Sequence, residues 1–319
     1  MSRFRKLAFL VLGSCFLLNL VHLLVFKEIL SPRVDSGFLL LFVFIPPVMW
    51  CLNWFLVSIL AARRKQWGLA VVSCAWIVLV LCLTLGFGSQ DSQRTGRRLR
   101  VVSVNVGAYF SDLESISKSI AELDPDIVLL QELWWRKHLN TVSRYLPEHD
   151  VAGVFPKGFD DVLPGVVLLS NRPVLEVESV VPQRFIRVKV SVEDDEVWEF
   201  VSLHGVKSSD GASFLTSPME LSRTARLQFR QYLRAAGEGV EKTRFVVAGD
   251  MNSPACASWS RAAFAGLHEI TEESGSTFPA AFPVLRLDRA YLSTDLLRTA
   301  DAHIVDVGSD HRAIVLDFF

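Results

Sequence analysis

The stretch Phe245-Val246-Val247-Ala248-Gly249-Asp250-Met251-Asn252-Ser253-Pro254 decides how this chain is read. Four apolar residues, two of them β-branched, form a run too short for a helix and suited to a buried strand. Glycine then lets the backbone turn, and Asp250 and Asn252 follow at once. Residues two apart at a strand end can point the same way, so a carboxylate and a carboxamide can face one pocket. The plainer reading is a strand closing in an Asx-type turn, which Asp and Asn favour.

Outward from this stretch, apolar runs repeatedly deliver polar residues. Asn105 ends Val101-Val102-Ser103-Val104, and Gln131-Glu132 end Ile127-Val128-Leu129-Leu130. His204 ends Phe200-Val201-Ser202-Leu203, Asp288 lies in Leu287-Asp288-Arg289-Ala290-Tyr291, and Ser309-Asp310-His311 precede the last apolar run. Each alone reads as a cap or turn. Together they describe apolar strands feeding carboxylate, carboxamide and imidazole to one edge, which builds a concave site on rigid elements. Strands are expected over 100–106, 127–130, 166–169, 174–181, 185–192, 197–203, 285–292, 302–307 and 313–317. Amphipathic helices are expected over 112–123 and 221–235, with a short helix over 255–265. Many strands and few helices imply two sheets packed face to face with helices outside, an α+β architecture.

The front of the chain has a different character. Residues 1–100 hold 12 of the 33 basic side chains and three of the 34 acidic ones, leaving the remainder with ten more acids than bases. A rear domain that acidic has no bulk counterion-release drive toward nucleic acid. Runs 7–26, 37–60 and 67–87 lack Lys, Arg, Asp and Glu, and a bilayer span needs about 20 apolar residues. The expectation is an uncleaved three-span anchor over 1–88, a polar linker over 89–98 and a globular domain over 99–319. Arg3, Arg5 and Lys6, and Arg63, Arg64 and Lys65, put the N-terminus and the second loop in the cytoplasm by the positive-inside rule. The domain then lies outside the cytoplasmic membrane, with Arg94, Arg97, Arg98 and Arg100 running against that count. Only Cys256 lies in the rear domain, so neither an internal disulfide nor a thiolate cluster can form there.

Oxygen donors from Glu, Asp and Asn suit a hard cation such as Mg²⁺. A helical His pair for zinc, a P-loop and a nucleophile elbow are all absent from the sequence. His138, His149, His268 and His303 lie outside the clusters and read as structural or surface residues.

These motifs carry a resemblance. Val-Asn105, Leu-Gln131-Glu132, Leu-His204, Gly-Asp250-Met-Asn252, Leu-Asp288-Arg-Ala-Tyr and Ser309-Asp310-His311 resemble, in order and spacing, the endonuclease/exonuclease/phosphatase superfamily, the DNase I-like fold. The likeness spans about residues 99–319. It implies a four-layer α/β/β/α sandwich and Mg²⁺-dependent hydrolysis of a phosphate ester, with Mn²⁺ as a substitute. By the same resemblance Glu132 would hold the metal, helped by Asn105 and Asp310. Asp250 would orient and deprotonate the attacking water, and Asn252 and His204 would contact the phosphate. His311, oriented by Asp288, would bond a phosphate oxygen or donate a proton. Many relatives carry an acid two residues after the Asn105 position, where this chain has Gly107. A loop over 205–218 would overhang the site, with Lys207, Ser208 and Ser209 near substrate.

The sequence therefore points to a membrane-anchored phosphoesterase acting on a phosphodiester, a lipid headgroup or a soluble phosphate ester. A DNase I-like nuclease is the alternative, and a non-catalytic binding module the third reading.

Overall fold

The computed structural model describes residues 16–17, 19–20, 51–85, 96–107, 112–153, 162–181, 184–193, 196–205, 244–253, 264 and 266–319. The expected helices over 221–235 and 255–265 and the loop 206–218 lie outside these residues, apart from Phe264.

Among the described residues, two six-stranded sheets form the domain. The first contains β1 (Leu99–Asn105), β2 (Ile127–Trp135), β3 (Asp150–Ala152), β4 (Val162–Ser170), β11 (Ala300–Val305) and β12 (Ala313–Phe318), in the order β11-β12-β1-β2-β4-β3. The second contains β5 (Val174–Val181), β6 (Phe185–Glu193), β7 (Glu196–His204), β8 (Arg244–Asp250), β9 (His268–Glu269) and β10 (Asp288–Leu292), in the order β5-β6-β7-β8-β10-β9. Each sheet is antiparallel except for one central parallel pair, β1 with β2 and β7 with β8. The carboxyl ends of those four strands thus collect at one end of the domain.

Alternation along the strands separates two cores. Leu99 and Val101, Ile127 and Leu129, Trp198 and Phe200, and Val246 and Ala248 face the opposite sheet and are fully buried there. Trp198 meets Phe318 edge-on, with ring centroids 4.9 Å apart. Val102, Val104, Val128 and Leu130 face outward and pack under two helices, Leu113–Glu122 and Arg136–Tyr145. Asp112 caps the first helix, its Oδ1 accepting from the Glu114 and Ser115 N–H groups at 3.2 and 3.3 Å. That supplies one helix layer and both sheets of the expected sandwich. On the second sheet Val201, Leu203, Phe245 and Val247 are buried on the outer face as well.

Several elements differ from expectation, and the causes of three are local. The strand begun at Ile127 does not stop at Gln131-Glu132 but continues to Trp135 across a bulge. The predicted strand 285–292 begins only at Asp288, because Leu285 bridges Phe278 instead. The helix Arg136–Tyr145 follows β2 directly; the tryptophan pair that ends β2 and the helix's basic start hide its onset in the sequence.

Two further helices lie in the front of the chain, Cys51–Arg63 and Trp67–Leu85. They pack together with the described part of the first run, Phe16 lying 6.2 Å from the Trp54 ring and 4.6 Å from the Trp76 ring. Their polarity is inverted: Asn19, Ser58 and Ser73 are buried, while Phe55, Leu56, Trp67, Val71, Val72 and Val78 are exposed. Side chains of the second helix are described only to Val80. Among the described residues no helix is long and apolar enough to cross a membrane.

Candidate active site

The site grows from the inward faces of the four central strands. On β1 and β7 the last two inward positions are both polar, whereas on β2 and β8 only the last one is. Ser103 precedes Asn105, Ser202 precedes His204, and Ala248 precedes Asp250, while Gln131 stands in register with Asn105. The result is layered. Above the apolar core, Gln131 Nε2 donates to Ser202 Oγ at 3.0 Å and to Ser103 Oγ at 3.4 Å, bridging the two sheets. Above that bridge sit Asn105, Glu132, His204 and Asp250, all buried.

Glu132 reaches this layer through backbone geometry. Successive residues of a strand point to opposite faces, so Gln131 facing inward would send Glu132 outward. Instead Glu132 adopts φ 61° at the bulge between Gln131 and Leu133. The extra residue lets both Gln131 and Glu132 face the interior while Leu133 returns to the outer core. A carboxylate residue in the left-handed region costs energy, and such strain concentrates at functional sites.

Asn105 ties the layer together. Its Nδ2 donates to Asp250 Oδ2 at 2.9 Å and to Glu132 Oε1 at 3.1 Å. Its Oδ1 accepts from the Gly107 N–H at 3.0 Å. Gly107, with φ 50°, curls back to make that bond and so fixes which end of the amide faces the acids. As oriented, Asn105 presents its NH₂ to both carboxylates rather than an oxygen to a cation.

Asp250 lies at the centre. Its Oδ1 accepts from the Asn252 N–H at 2.7 Å, the Asx turn legible in the sequence. Its Oδ2 lies 3.9 Å from His204 Nε2 and 3.9 Å from His311 Nε2. The turn and the site are therefore one feature. Asn252, with φ 47°, donates its Nδ2 to Gly205 O at 3.0 Å and holds the chain that leaves β7.

Antiparallel pairing sets Asp288 opposite Asp250. Asp288 Oδ2 lies 2.8 Å from His311 Nδ1. Burial acts most strongly on His311 and lowers its pKa, but Asp288, then Asp250, outweigh it and raise the value to about 10. His311 is thus an imidazolium at neutral pH, its Nε2 turned toward Asp250. Because the folded value is raised, its contribution to stability is complete below the ordinary histidine range and disappears as pH climbs through about 10. In the metal-free protein, Asp288→Asn should move the His311 titration well below 10, as followed by the imidazole proton resonances; an unmoved titration would remove Asp288 from this role.

Sequence reasoning missed the groups that support these side chains. Ser309 Oγ donates to Asn105 O at 2.7 Å, clamping the loop before His311 to the end of β1. Thr277 Oγ1 accepts from the Leu287 and Asp288 N–H groups at 3.2 and 3.1 Å and sets the start of β10. Phe278 packs on the His311 ring at 4.7 Å, and Trp134 meets His204 edge-on at 6.3 Å. Fully buried Arg289 donates from Nη2 to Ser253 O at 2.9 Å, beneath the turn that holds Asn252. The serines two residues before Asn105 and His204 were the visible signal of the lower layer. Asp310 is exposed, accepts from Ser309 Oγ at 3.2 Å and stands outside the carboxylate clusters. Of the histidines set aside, His149 lies 2.9 Å from Pro125 O and His268 lies 3.1 Å from Thr294 Oγ1, both away from the site.

Among the described residues two groups have ligand atoms within 4.8 Å of one another: Glu132, His204 and Asp250, and Asp250, Asp288 and His311. His204 is 1% exposed, yet neither ring nitrogen has a hydrogen-bond partner, and Asp288 Oδ1 also has none. Buried polar atoms are ordinarily satisfied. Converging carboxylates beside an unsatisfied carboxylate oxygen suit a divalent cation, and the unsatisfied His204 ring, which carries an N–H donor, suits an anionic substrate.

Solved structures share this architecture. The endonuclease domain of TRAS1, a telomere-specific non-LTR retrotransposon, is 17% identical, with TM-score 0.52, and covers 69% of this chain and 97% of its own. A humanized D. rerio TDP2 is 18% identical, with TM-score 0.54, over 69% of this chain and 98% of its own. Sphingomyelinase C from Streptomyces griseocarneus is 16% identical, with TM-score 0.52, over 69% and 99%. At these identities the likeness establishes the fold. No curated protein matches the chain. The profile of the endonuclease/exonuclease/phosphatase family matches residues 102–311, from the first buried strand to the histidine held by Asp288, and the chain belongs to that family of phosphoester hydrolases.

Proposed function

We propose that this chain is a membrane-anchored, Mg²⁺-dependent phosphoesterase that hydrolyses a phosphodiester outside the cytoplasmic membrane. One observation carries the catalytic part: Asn105, Glu132, His204, Asp250, Asp288 and His311, drawn from six separate segments, surround one buried polar layer at the end of the sandwich. Glu132, with Asp250 or His204, would hold Mg²⁺, which supplies charge stabilisation on a phosphoryl oxygen.

The chain's own residues do the rest. Asp250, carboxylate-centred between two imidazoles, orients the attacking water and takes its proton. Asn105 holds the Asp250 carboxylate in place through Nδ2. His311, protonated and held by Asp288, donates a hydrogen bond to a phosphoryl oxygen and a proton toward the leaving group. His204 offers an unsatisfied ring nitrogen to the phosphate from the other imidazole position. Asn252 positions the turn, and its amide contacts the phosphate only if it releases Gly205 O.

The anchor rests on the three uncharged apolar runs and on the inverted polarity of the packed helices. Exposed Phe55, Leu56, Val71, Val72 and Val78 around buried Asn19, Ser58 and Ser73 form an apolar exterior suited to lipid. The extracytoplasmic placement rests on the positive-inside count.

Chelation with EDTA should lower hydrolysis by at least 10²-fold, and Mg²⁺ should restore it. The panel contains phosphomonoesters, phosphodiesters, phospholipids and plasmid DNA. Metal-dependent turnover of phosphodiesters with indifference to DNA supports the reading. Salt-sensitive DNA degradation as the dominant activity makes the chain a nuclease instead, and turnover unaffected by EDTA overturns the metal role.

A further inference from the structure

The domain has a definite polarity along β1. The chain arrives from the front segment at Arg97 and Arg98 and is pinned there. The Arg98 N–H donates to Phe318 O at 2.8 Å, its guanidinium pairs with Glu193 and Glu196, and Arg97 pairs with Asp124 at 2.6 Å. Leu99 opens β1 at this end, and Asn105 closes it in the catalytic layer. Six residue steps at about 3.3–3.4 Å separate the two, about 20 Å. The neighbouring strands agree. Glu196, Arg244 and Phe318 stand at the arriving end, whereas His204, Asp250 and Ala313 stand at the catalytic end.

Between Leu85, the last residue of the second front helix, and Arg97 lie eleven residues. Twelve chain steps reach at most about 40 Å. An inverted domain would need about 20 Å along the strand and a path around the sandwich besides. The connection therefore favours the arriving end next to the helices and the catalytic end away from them.

We propose that the active site opens away from the membrane that holds the chain, and that its substrate is a phosphodiester free in the aqueous phase rather than a headgroup of the chain's own bilayer. This inference rests on the anchored-phosphoesterase reading and narrows its substrate class. The arriving end is a face of paired charges, Arg97 with Asp124, Arg98 with Glu193 and Glu196, and Arg244 with Glu196 and Asp295, which suits a resting contact with headgroups rather than a catalytic approach to them.

The test uses the full chain reconstituted in phosphatidylcholine vesicles and one reacting group, a nitrophenyl phosphodiester, presented either free in water or as a lipid headgroup in the same vesicles. The free form should turn over at least tenfold faster than the headgroup form. Inserting twenty Gly/Ser residues after Ser89 should raise headgroup turnover at least tenfold and leave the free form unchanged. Headgroup turnover that equals the free form and ignores the insertion overturns the inference.

A second measurement reads orientation without catalysis. In a chain with its five native cysteines replaced by serine, a fluorophore at Glu122→Cys, at the arriving end, should transfer energy to headgroup acceptors more efficiently than one at Phe282→Cys, beside the loop that carries Phe278. Equal or reversed transfer overturns the inference. Loss of all turnover with the expected distances overturns the hydrolase reading alone.

Discussion

Asp250→Ala is expected to lower kcat by about 10²–10⁴-fold, the range in which loss of a general base or of transition-state charge stabilisation falls. Asp250 is fully buried, 3.9 Å from a ring nitrogen of each active-site histidine, and bonded through both oxygens. No other carboxylate occupies both ligand clusters. Truncation also removes one of the two acceptors of Asn105 Nδ2 and strands the Asn252 N–H, so part of the loss would come from a loosened turn. Asp250→Asn separates the two effects. It keeps the Asn252 N–H bond to a side-chain oxygen but removes the charge and the basicity. Both variants should lose turnover by comparable factors in a steady-state phosphodiester assay. Turnover within threefold of the unsubstituted chain in either one would end the assignment of Asp250 as base.

Gly249→Ala should have the largest effect on folding of any single methyl added near the site. At φ 151° this residue occupies backbone space that side chains rarely adopt, and a Cβ there would sit 1.9 Å from Leu203 O. The obstacle is the backbone of the neighbouring parallel strand, so no side chain can swing aside. Gly249 pairs with Leu203 one step before His204 pairs with Asp250. Relief must pull β7 and β8 apart, which exposes the interior between the sheets and separates His204 from Asp250. Overpacking of this kind costs about 1–3 kcal/mol and backbone strain another 1–3 kcal/mol, a large share of the 5–15 kcal/mol that typically holds a domain. Equilibrium unfolding in urea should show a destabilisation of about 3–5 kcal/mol with kcat lowered in the fraction that folds. A midpoint equal to that of the unsubstituted chain would mean that β7 and β8 do not pair as described.

Much of this site was legible because strand periodicity does the work. Val101, Ser103 and Asn105 share a face by simple alternation, as do Phe200, Ser202 and His204, so a polar residue at a strand end declares its direction. Asp250 and Asn252 were legible for two reasons at once, since the turn that Asn favours also delivers the carboxylate. Glu132 was legible only as a member of a motif. Its direction depends on a bulge and a positive φ, which pairing creates and composition does not reveal. Phe278, Ser309 and Arg289 were not assigned roles because each acts across a long separation in sequence, through one bond or one ring contact, and Thr277 because its bonds to the start of β10 leave no local pattern. Ser309 reaches β1 from 204 residues away. The helix Arg136–Tyr145 was missed because it begins within the same aromatic, basic run that ends β2. The front helices were read from uninterrupted apolarity alone, and their packing adds the inverted burial that composition cannot supply.

The proposed hydrolysis requires that Glu132, with Asp250 or His204 from the facing sheet, hold a divalent cation. Glu132→Gln keeps the shape of the side chain and its acceptor for Asn105 while removing one charge. Mn²⁺ binding followed by electron paramagnetic resonance, alongside Mg²⁺-dependent phosphodiester turnover, measures this directly. Glu132→Gln should weaken Mn²⁺ binding at least tenfold and lower turnover at least 10²-fold together. Unchanged Mn²⁺ affinity with full Mg²⁺-dependent turnover would contradict it.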